Sequence, residues 1–465
     1  MNHFNRKKDN NLGIKFFSTI LGINSLSMLS MADGISVPER PNIIIILADD
    51  LGNGDLSVQG GKDIHTPNID NLFNRGIRFT NFYANCTVCS PTRAALMTGC
   101  YPDMVGVPGV IRTHETNSWG YFLPDAITLP DMLKKAGYQT AIIGKWHLGL
   151  ESPNTPNERG FDFFHGFLGD MMDDYRTHRR HDINYMRLNE TEIDPQGHAT
   201  DLFSEWSVDY IREISKNKTP FFLYLAYNAP HNPVQPPDEW LEKVKKREGT
   251  IDNRRANLVA FIEHLDAGIG RVVDALKESG EYENTVIIFS SDNGGLLSAG
   301  ASNGHLRGGK QDMYEGGIKV PTCLVWEKTI KPGTVSDRLG LTMDFFPTIC
   351  SFAEMPVSHE IDGISLLSEN HNSMQGTDER TVYFMRREGG TYGGLCYYAA
   401  RRGVYKLMQN TPYEELQFFN LEKDQLEESP LDINLKESRD MKFELSQHIR
   451  KAGAIAWQKE ASRQD

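Results

Sequence analysis

Four short apolar runs, each broken off by polar residues, constrain this chain more than any other feature. Ile43-Ile44-Ile45-Ile46-Leu47 ends in Asp49-Asp50, and Tyr138 to Ile143 ends in Gly144-Lys145-Trp146-His147. Phe221 to Tyr227 ends in Asn228-Ala229-Pro230-His231, and Thr285 to Ser291 ends in Asp292-Asn293-Gly294-Gly295. Continuous apolar runs of this length, rich in β-branched residues, read as strands buried on both faces. Helical patterns lie between them: Ile127 to Gly137, Ala199 to Ser215 with a stripe at Leu202, Phe203, Trp206, Val208, Tyr210 and Ile211, and the long amphipathic stretch Arg254 to Ser279. This alternation predicts an α/β fold, a large mixed and mostly parallel sheet sandwiched by helices. Ligand sites in such sheets sit at the carboxyl ends of strands, where all four runs deliver polar side chains.

Past Ile364 the texture changes. Thr381 to Phe384, Leu395 to Ala400 and Val404 to Leu407 read as short strands separated by glycine pairs, and a last helix is expected from Glu437 to Lys459. The expected organisation is therefore a segment 1–38 outside the fold, a catalytic domain 39–363, and a small C-terminal α+β subdomain 364–465 with an antiparallel sheet. Arg6, Lys7, Lys8 and Lys15 precede a moderately apolar, serine-rich run from Phe16 to Ala32. That pattern predicts a secretory signal, and so a secreted or periplasmic protein. No other stretch approaches the roughly 20 apolar residues needed to span a bilayer.

Composition narrows the partners. The 465 residues are 39% hydrophobic and 24% charged, an ordinary globular balance. Lys+Arg 49 against Asp+Glu 62 gives a net charge of −13, which argues against nucleic acid or an anionic membrane held by general charge. An anionic ligand would need a local basic pocket. Six cysteines in a chain this long are not a disulfide scaffold.

The sharpest local feature is Cys89-Ser90-Pro91-Thr92-Arg93-Ala94-Ala95-Leu96-Met97-Thr98-Gly99. Pro91 suits a first helical turn, and the following residues propagate it. A cysteine at a helix start beside an arginine would be reactive through a lowered pKa, or it is a buried structural cysteine. Cys86-x-x-Cys89 could also be a redox or zinc pair, but Cys100, Cys323, Cys350 and Cys396 form no second such pair. Asp49, Asp50, Asp292 and Asn293 offer hard oxygen at strand ends, which suits Ca²⁺ or Mg²⁺ better than zinc. An Asp-Asp pair alone would equally cap the next helix. A second acidic strand end tips the balance to metal.

The Cys89 segment resembles the signature of the type I, formylglycine-dependent sulfatases of the alkaline-phosphatase-like superfamily. Ala48 to Gly52, Gly144 to Gly149, Ala229 to His231, Ser291 to Gly295 and Leu306 to Lys310 resemble further family motifs in family order. Met97 stands where leucine is usual, and Cys100 where arginine is common. The resemblance implies that a formylglycine-generating or radical maturation enzyme converts Cys89 to formylglycine. It implies that Asp49, Asp50, Asp292, Asn293 and the matured Cys89 hold a metal, Ca²⁺ ahead of Mg²⁺. By the same resemblance Arg93 and Lys145 hold the aldehyde hydrate, which attacks sulfur and forms a covalent hemiacetal sulfate. His147 takes the second hydroxyl proton, His231 protonates the leaving alcohol, and His231 and Lys310 bind the sulfate.

The substrate is expected to be a sulfated carbohydrate, a polysaccharide, glycosaminoglycan or mucin glycan. A phosphonate or phosphodiester hydrolase of the same superfamily is one alternative, and a non-catalytic carbohydrate-binding protein on the same fold is another. Metal ligation in phosphatase relatives relies more on histidine, and no residue of the constellation is missing here. The polar segment Gly169 to Tyr185 is the candidate specificity loop. Asp173, Arg176, His178 and His181 there, with Arg112 and His305, are candidate substrate contacts. Each is equally readable as solvated surface.

Overall fold

The structure is a computed structural model that describes residues 40–366, 380–389 and 396–460. The expected signal segment lies outside them. A ten-stranded sheet forms the centre. Its five middle strands are parallel, in the order Thr285–Ser291, Asn42–Ala48, Phe221–Ala226, Gln139–Lys145 and Phe163–Phe167. On one side, Thr322–Val325 pairs antiparallel with Thr285–Ser291 and leads to Ile77–Phe79 and Thr334–Ser336. On the other, Met186–Leu188 and Thr191–Glu192 close the edge.

The all-apolar strands follow from burial on two faces. In Asn42–Ala48, Ile44, Ile46 and Ala48 join one core, with residues of the Pro67–Arg75, Ala199–Ile214 and Asn253–Glu278 helices. Ile43, Ile45 and Leu47 join the other, with the Cys89–Thr98, Leu129–Lys135 and Phe345–Phe352 helices. Strand side chains alternate faces, so only a run without polar interruptions can serve both.

Val382–Arg387, Cys396–Arg402, Tyr405–Gln409 and Gln417–Asn420 form the antiparallel C-terminal sheet. The fourth of these strands had no counterpart in the sequence reading. One face carries Ala400, Leu407 and Phe418 against Met441 and Leu445 of the last helix. The other carries Val382, Phe384, Met408 and Phe419 against Tyr83, Ala95, Ile318 and Leu341. The last helix spans Lys436–Ala452 and stops short of the expected Lys459. The chain leaves it at Gly453 and stacks Trp457 on Trp119, 5.2 Å between ring centroids. Lys406 is buried between Glu315 at 3.0 Å and Glu427 at 2.7 Å, so the C-terminal sheet is tied to the Glu315–Ile318 helix by ion pairs as well as apolar contact.

Candidate active site

Three parallel strand ends are stitched together where the polar residues begin. Asp49 N donates to Ala229 O at 3.1 Å, and Asp292 N donates to Ala48 O at 3.1 Å. No helix starts after Asp50. The next element is a 3-10 turn at Ser57–Gln59, so the pair does not cap a helix. Asp50 instead takes a positive φ of 67°, a conformation aspartate tolerates better than most residues. Its carboxylate accepts from Lys310 Nζ at 2.8 Å and Asn293 Nδ2 at 2.8 Å.

Cys89 is the first residue of the Cys89–Thr98 helix and is buried. Arg93, one turn on, is fully buried and reaches across the strand ends. It donates to Asp292 Oδ2 at 2.7 Å, lies 3.5 Å from Asp49 Oδ2, and contacts the Tyr224 hydroxyl at 3.4 Å. Lys145 Nζ donates to Asp49 Oδ2 at 2.5 Å. His231 Nε2 lies 3.6 Å from Asp50 Oδ2, while its Nδ1 donates to Asn232 O at 2.7 Å. The structure thus brings Asp49, Asp50, Cys89, Arg93, Lys145, His231, Asp292, Asn293 and Lys310 into one buried cluster. His147 joins it in the electrostatic field of Lys145, Arg93 and Asp49.

His147 is also buried, with φ of 61°, and its Nε2 lies 2.8 Å from the Ile111 carbonyl. A carbonyl only accepts, so Nε2 carries the proton and Nδ1 keeps its lone pair. Nδ1 has no hydrogen-bond partner among the described residues. Burial, reinforced by Lys145 and Arg93, holds His147 well below the ordinary imidazole range. The ring is therefore a neutral base with one unused nitrogen.

Burial would raise Asp49, but Lys145, His231 and Arg93 outweigh it and hold the carboxyl below its usual range. Asp292 goes the other way, pushed up to about 7 by burial and by the neighbouring Asp49. Burial pushes the Cys89 thiol up to about 11, against the pull of Lys145 and Lys310. This overturns the low-pKa cysteine reading, because desolvation exceeds what the helix start and its cations supply. The Cys86 thiol turns away to the Met385 carbonyl at 3.3 Å, which leaves no zinc or redox pair with Cys89.

A cation fits this donor set. The ligand atoms of Asp49, Cys89 and Asp292 lie within 4.8 Å of one another, as do those of Asp49, Asp50 and His231. Asp49 Oδ1 and Asn293 Oδ1 are buried without a hydrogen-bond partner among the described residues, and a hard cation would satisfy them.

A family model described as Sulfatase matches residues 41–355, and one described as N-sulphoglucosamine sulphohydrolase, C-terminal, matches residues 306–454. The chain belongs to the sulfatase family. It is a sulfuric ester hydrolase on the alkaline-phosphatase-like fold. It is similar to N-acetylgalactosamine-6-sulfatase of Sus scrofa, 34% identical over 82% of this chain and 74% of the relative. Arylsulfatase A of Homo sapiens is 32% identical over 73% of this chain and 69% of that protein. A solved structure of Ps i-CgsB in complex with k-i-k-neocarrahexaose superposes with a TM-score of 0.82 at 32% identity, covering 91% of this chain and 95% of that one.

The predicted saccharide contacts of this sulfatase are less gathered than its centre. His178 is fully buried, with Nε2 donating to the Gly197 carbonyl at 3.0 Å. Asp173 accepts from Arg180 at 2.6 Å and from His181 N at 2.6 Å. Arg176 is exposed on the same loop. The His181 and His114 rings meet at a tilt of 48° with centroids 4.7 Å apart, which joins the loop to the 111–114 segment beside His147. Arg112 donates to Glu388 at 2.8 Å. His305 lines a separate cavity of about 710 Å³ with Lys319 and Arg401.

Several residues had no signal of their own in the sequence. Tyr224 supports Arg93, and Tyr175 donates its hydroxyl to the Asn228 and His231 carbonyls at 2.7 and 2.9 Å. Tyr224 could have been noticed as the polar tip inside an apolar strand, because a buried tyrosine hydroxyl needs a partner.

Proposed function

We propose that this sulfatase hydrolyses a sulfate monoester on a sulfated carbohydrate, with Cys89 oxidised to formylglycine by a maturation enzyme. Asp49, Asp50, Asp292, Asn293 and residue 89 would hold a divalent cation, Ca²⁺ ahead of Mg²⁺. The observation that carries the reading is the place of Cys89, buried within one ligand shell of Asp49 and Asp292 and in the field of Lys145 and Lys310. Relatives above 30% identity, one named N-acetylgalactosamine-6-sulfatase and one solved in complex with k-i-k-neocarrahexaose, support the carbohydrate.

Charge supports the cation. With Asp292 ionised, as ligation of a cation requires, Asp49, Asp50 and Asp292 offset Arg93, Lys145 and Lys310, three against three, so the side chains alone leave no net charge to attract an anion. A divalent cation held by these residues would make the pocket electropositive and would supply Lewis-acid polarisation of the sulfate.

The chain's own residues then divide the proton work. A hydroxyl of the hydrated residue 89 attacks sulfur, and the bond from sulfur to the leaving alcohol oxygen breaks. Burial and Lys310 hold His231 below the ordinary imidazole range and its Nδ1–H is committed to Asn232, so its free Nε2 would take the proton of the attacking hydroxyl and pass it on to that leaving oxygen. Lys310 faces the sulfate, and the sulfate is left ester-linked to residue 89. His147 Nδ1 removes the proton of the remaining hydroxyl. The carbon–oxygen bond to sulfate breaks, the aldehyde re-forms, and water rehydrates it.

The test is sulfate release from a panel of sulfated saccharides, run beside phosphodiester and phosphonate substrates. Sulfate release by the matured protein, lost in Cys89→Ala, is the expected result. Turnover of the phosphorus substrates alone would overturn the reading.

A further inference from the structure

The base assigned to His147 works through one tautomer, and that tautomer depends on where the Ile111 carbonyl sits. Two anchors place this carbonyl. Ile111 N donates to Ser90 Oγ at 3.1 Å, next to the nucleophile position. The residues on either side both end on Glu388: Val110 N donates to its Oε1 at 3.1 Å and Arg112 Nη2 at 2.8 Å. Glu388 lies just past the Val382–Arg387 strand and is 1% exposed. Its second oxygen accepts from Arg386 Nε at 2.7 Å. Both carboxylate oxygens are thus committed inside the protein. Arg386 Nη1 in turn reaches the Gln311 carbonyl at 3.4 Å, next to Lys310, and Arg387 N donates to the Pro108 carbonyl at 2.8 Å. The backbone here is closely fitted, since a Cβ on Gly109 would stand 2.2 Å from Arg387 O.

We propose that Glu388 is a positioning residue for the second half of the reaction: by pinning Val110 and Arg112 it holds the Ile111 carbonyl on His147 Nε2 and keeps Nδ1 free as the base. The inference rests on the reading of His147 as that base. A carboxylate held by four donors, Val110 N, Arg112 Nη2 and both Nε and Nη2 of Arg386, fixes the 110–112 segment more firmly than backbone contacts to solvent would. Losing that anchor lets the carbonyl move, and the proton then redistributes between the two ring nitrogens. Only the form with Nδ1 unprotonated can accept the hydroxyl proton.

The experiment compares Glu388→Asp with Glu388→Gln in full-length protein, with rates normalised to the converted fraction of Cys89. Aspartate keeps the charge but withdraws the carboxylate by one methylene from Val110 N. Glutamine keeps the reach and one acceptor oxygen for Val110 N and Arg112, giving up the oxygen that accepts from Arg386. The expected result for Glu388→Asp is a kcat lower by about 10-fold with KM within about two-fold. Leaving alcohol should appear in a burst equal to the converted active sites, followed by slow turnover. Glu388→Gln should recover at least a third of wild-type kcat. A lowered Tm with unchanged kcat, or a raised KM with unchanged kcat, would overturn the proposal. A second readout needs no turnover. Nitrogen-15 NMR of labelled histidine should report His147 as the single Nε2–H tautomer in wild type and as a mixture in Glu388→Asp. An unchanged single tautomer in the variant would overturn it. Wild-type protein that carries converted Cys89 but releases no sulfate would instead count against the proposed function, with the tautomer result still deciding the role of Glu388.

Discussion

A single carboxylate, Asp49, sets much of the site's electrostatics. It has no exposed surface, faces Lys145 at 2.5 Å and Arg93 at 3.5 Å, and keeps one oxygen unpaired. Lys145→Met leaves this charge buried without its nearest partner and is expected to cost about 3–5 kcal/mol in chemical unfolding. Adding Ca²⁺ at a hundredfold excess over its Kd should stabilise the wild type by about 2.7 kcal/mol, read as a rise in Tm. In Asp292→Asn that rise should vanish, because the variant loses one of the facing carboxylate ligands. At this scale the motif residues at strand ends were legible, since each stands where an open α/β sheet gathers a site. Glu388, Tyr175 and Tyr224 were not, because each acts on a neighbour far away in sequence. Nor was the Cys89 thiol's raised pKa, since burial is a property of the folded surroundings and outweighed the local cue.

Elements decide how closely the site residues can approach. Gly294 follows Asn293 directly, and a Cβ there would stand 1.8 Å from Gly316 O. Gly294→Ala is expected to cost about 2 kcal/mol and to remove the Ca²⁺-dependent rise in Tm along with it. At the start of the Ala199–Ile214 helix, His198 accepts from Thr200 N through Nδ1 and donates to Gln235 O through Nε2. Burial lowers it to about 4. From pH 7 to pH 5 the unfolded chain therefore takes up a proton that the native state refuses, and stability falls by roughly 1–2 kcal/mol from this residue. His198→Asn keeps the cap and should flatten that part of the fall, measured by denaturant unfolding at the two pH values. The buried strands and long helices were legible within a few residues, because two-faced burial forces uninterrupted apolar runs. The C-terminal strand Gln417–Asn420 was not, being short and flanked by polar turns, and the last helix ends early because Trp457 returns to Trp119.

In the whole molecule, the C-terminal sheet helps to complete the active site. Its first strand reaches the Cys86 loop through Met385 and the Gln311 turn through Arg386, and Glu388 just past that strand reaches the 110–112 segment. The mostly parallel sheet was legible from the alternation of runs and helices, whereas this bracing across the molecule was not, since nothing local marks it. Cys89 is 3% exposed in the folded chain. Maturation is therefore expected before folding is complete: co-expression with a formylglycine-generating enzyme should convert Cys89, and the same enzyme added to folded protein should leave it a thiol. The most direct test of the central claim is the mass of the peptide spanning Cys89 from purified, co-expressed protein, measured beside sulfate release from the same sample. The account predicts the mass loss of thiol-to-aldehyde conversion, with sulfate release in proportion to the converted fraction. Sulfate release from protein whose Cys89 remains a thiol would contradict it.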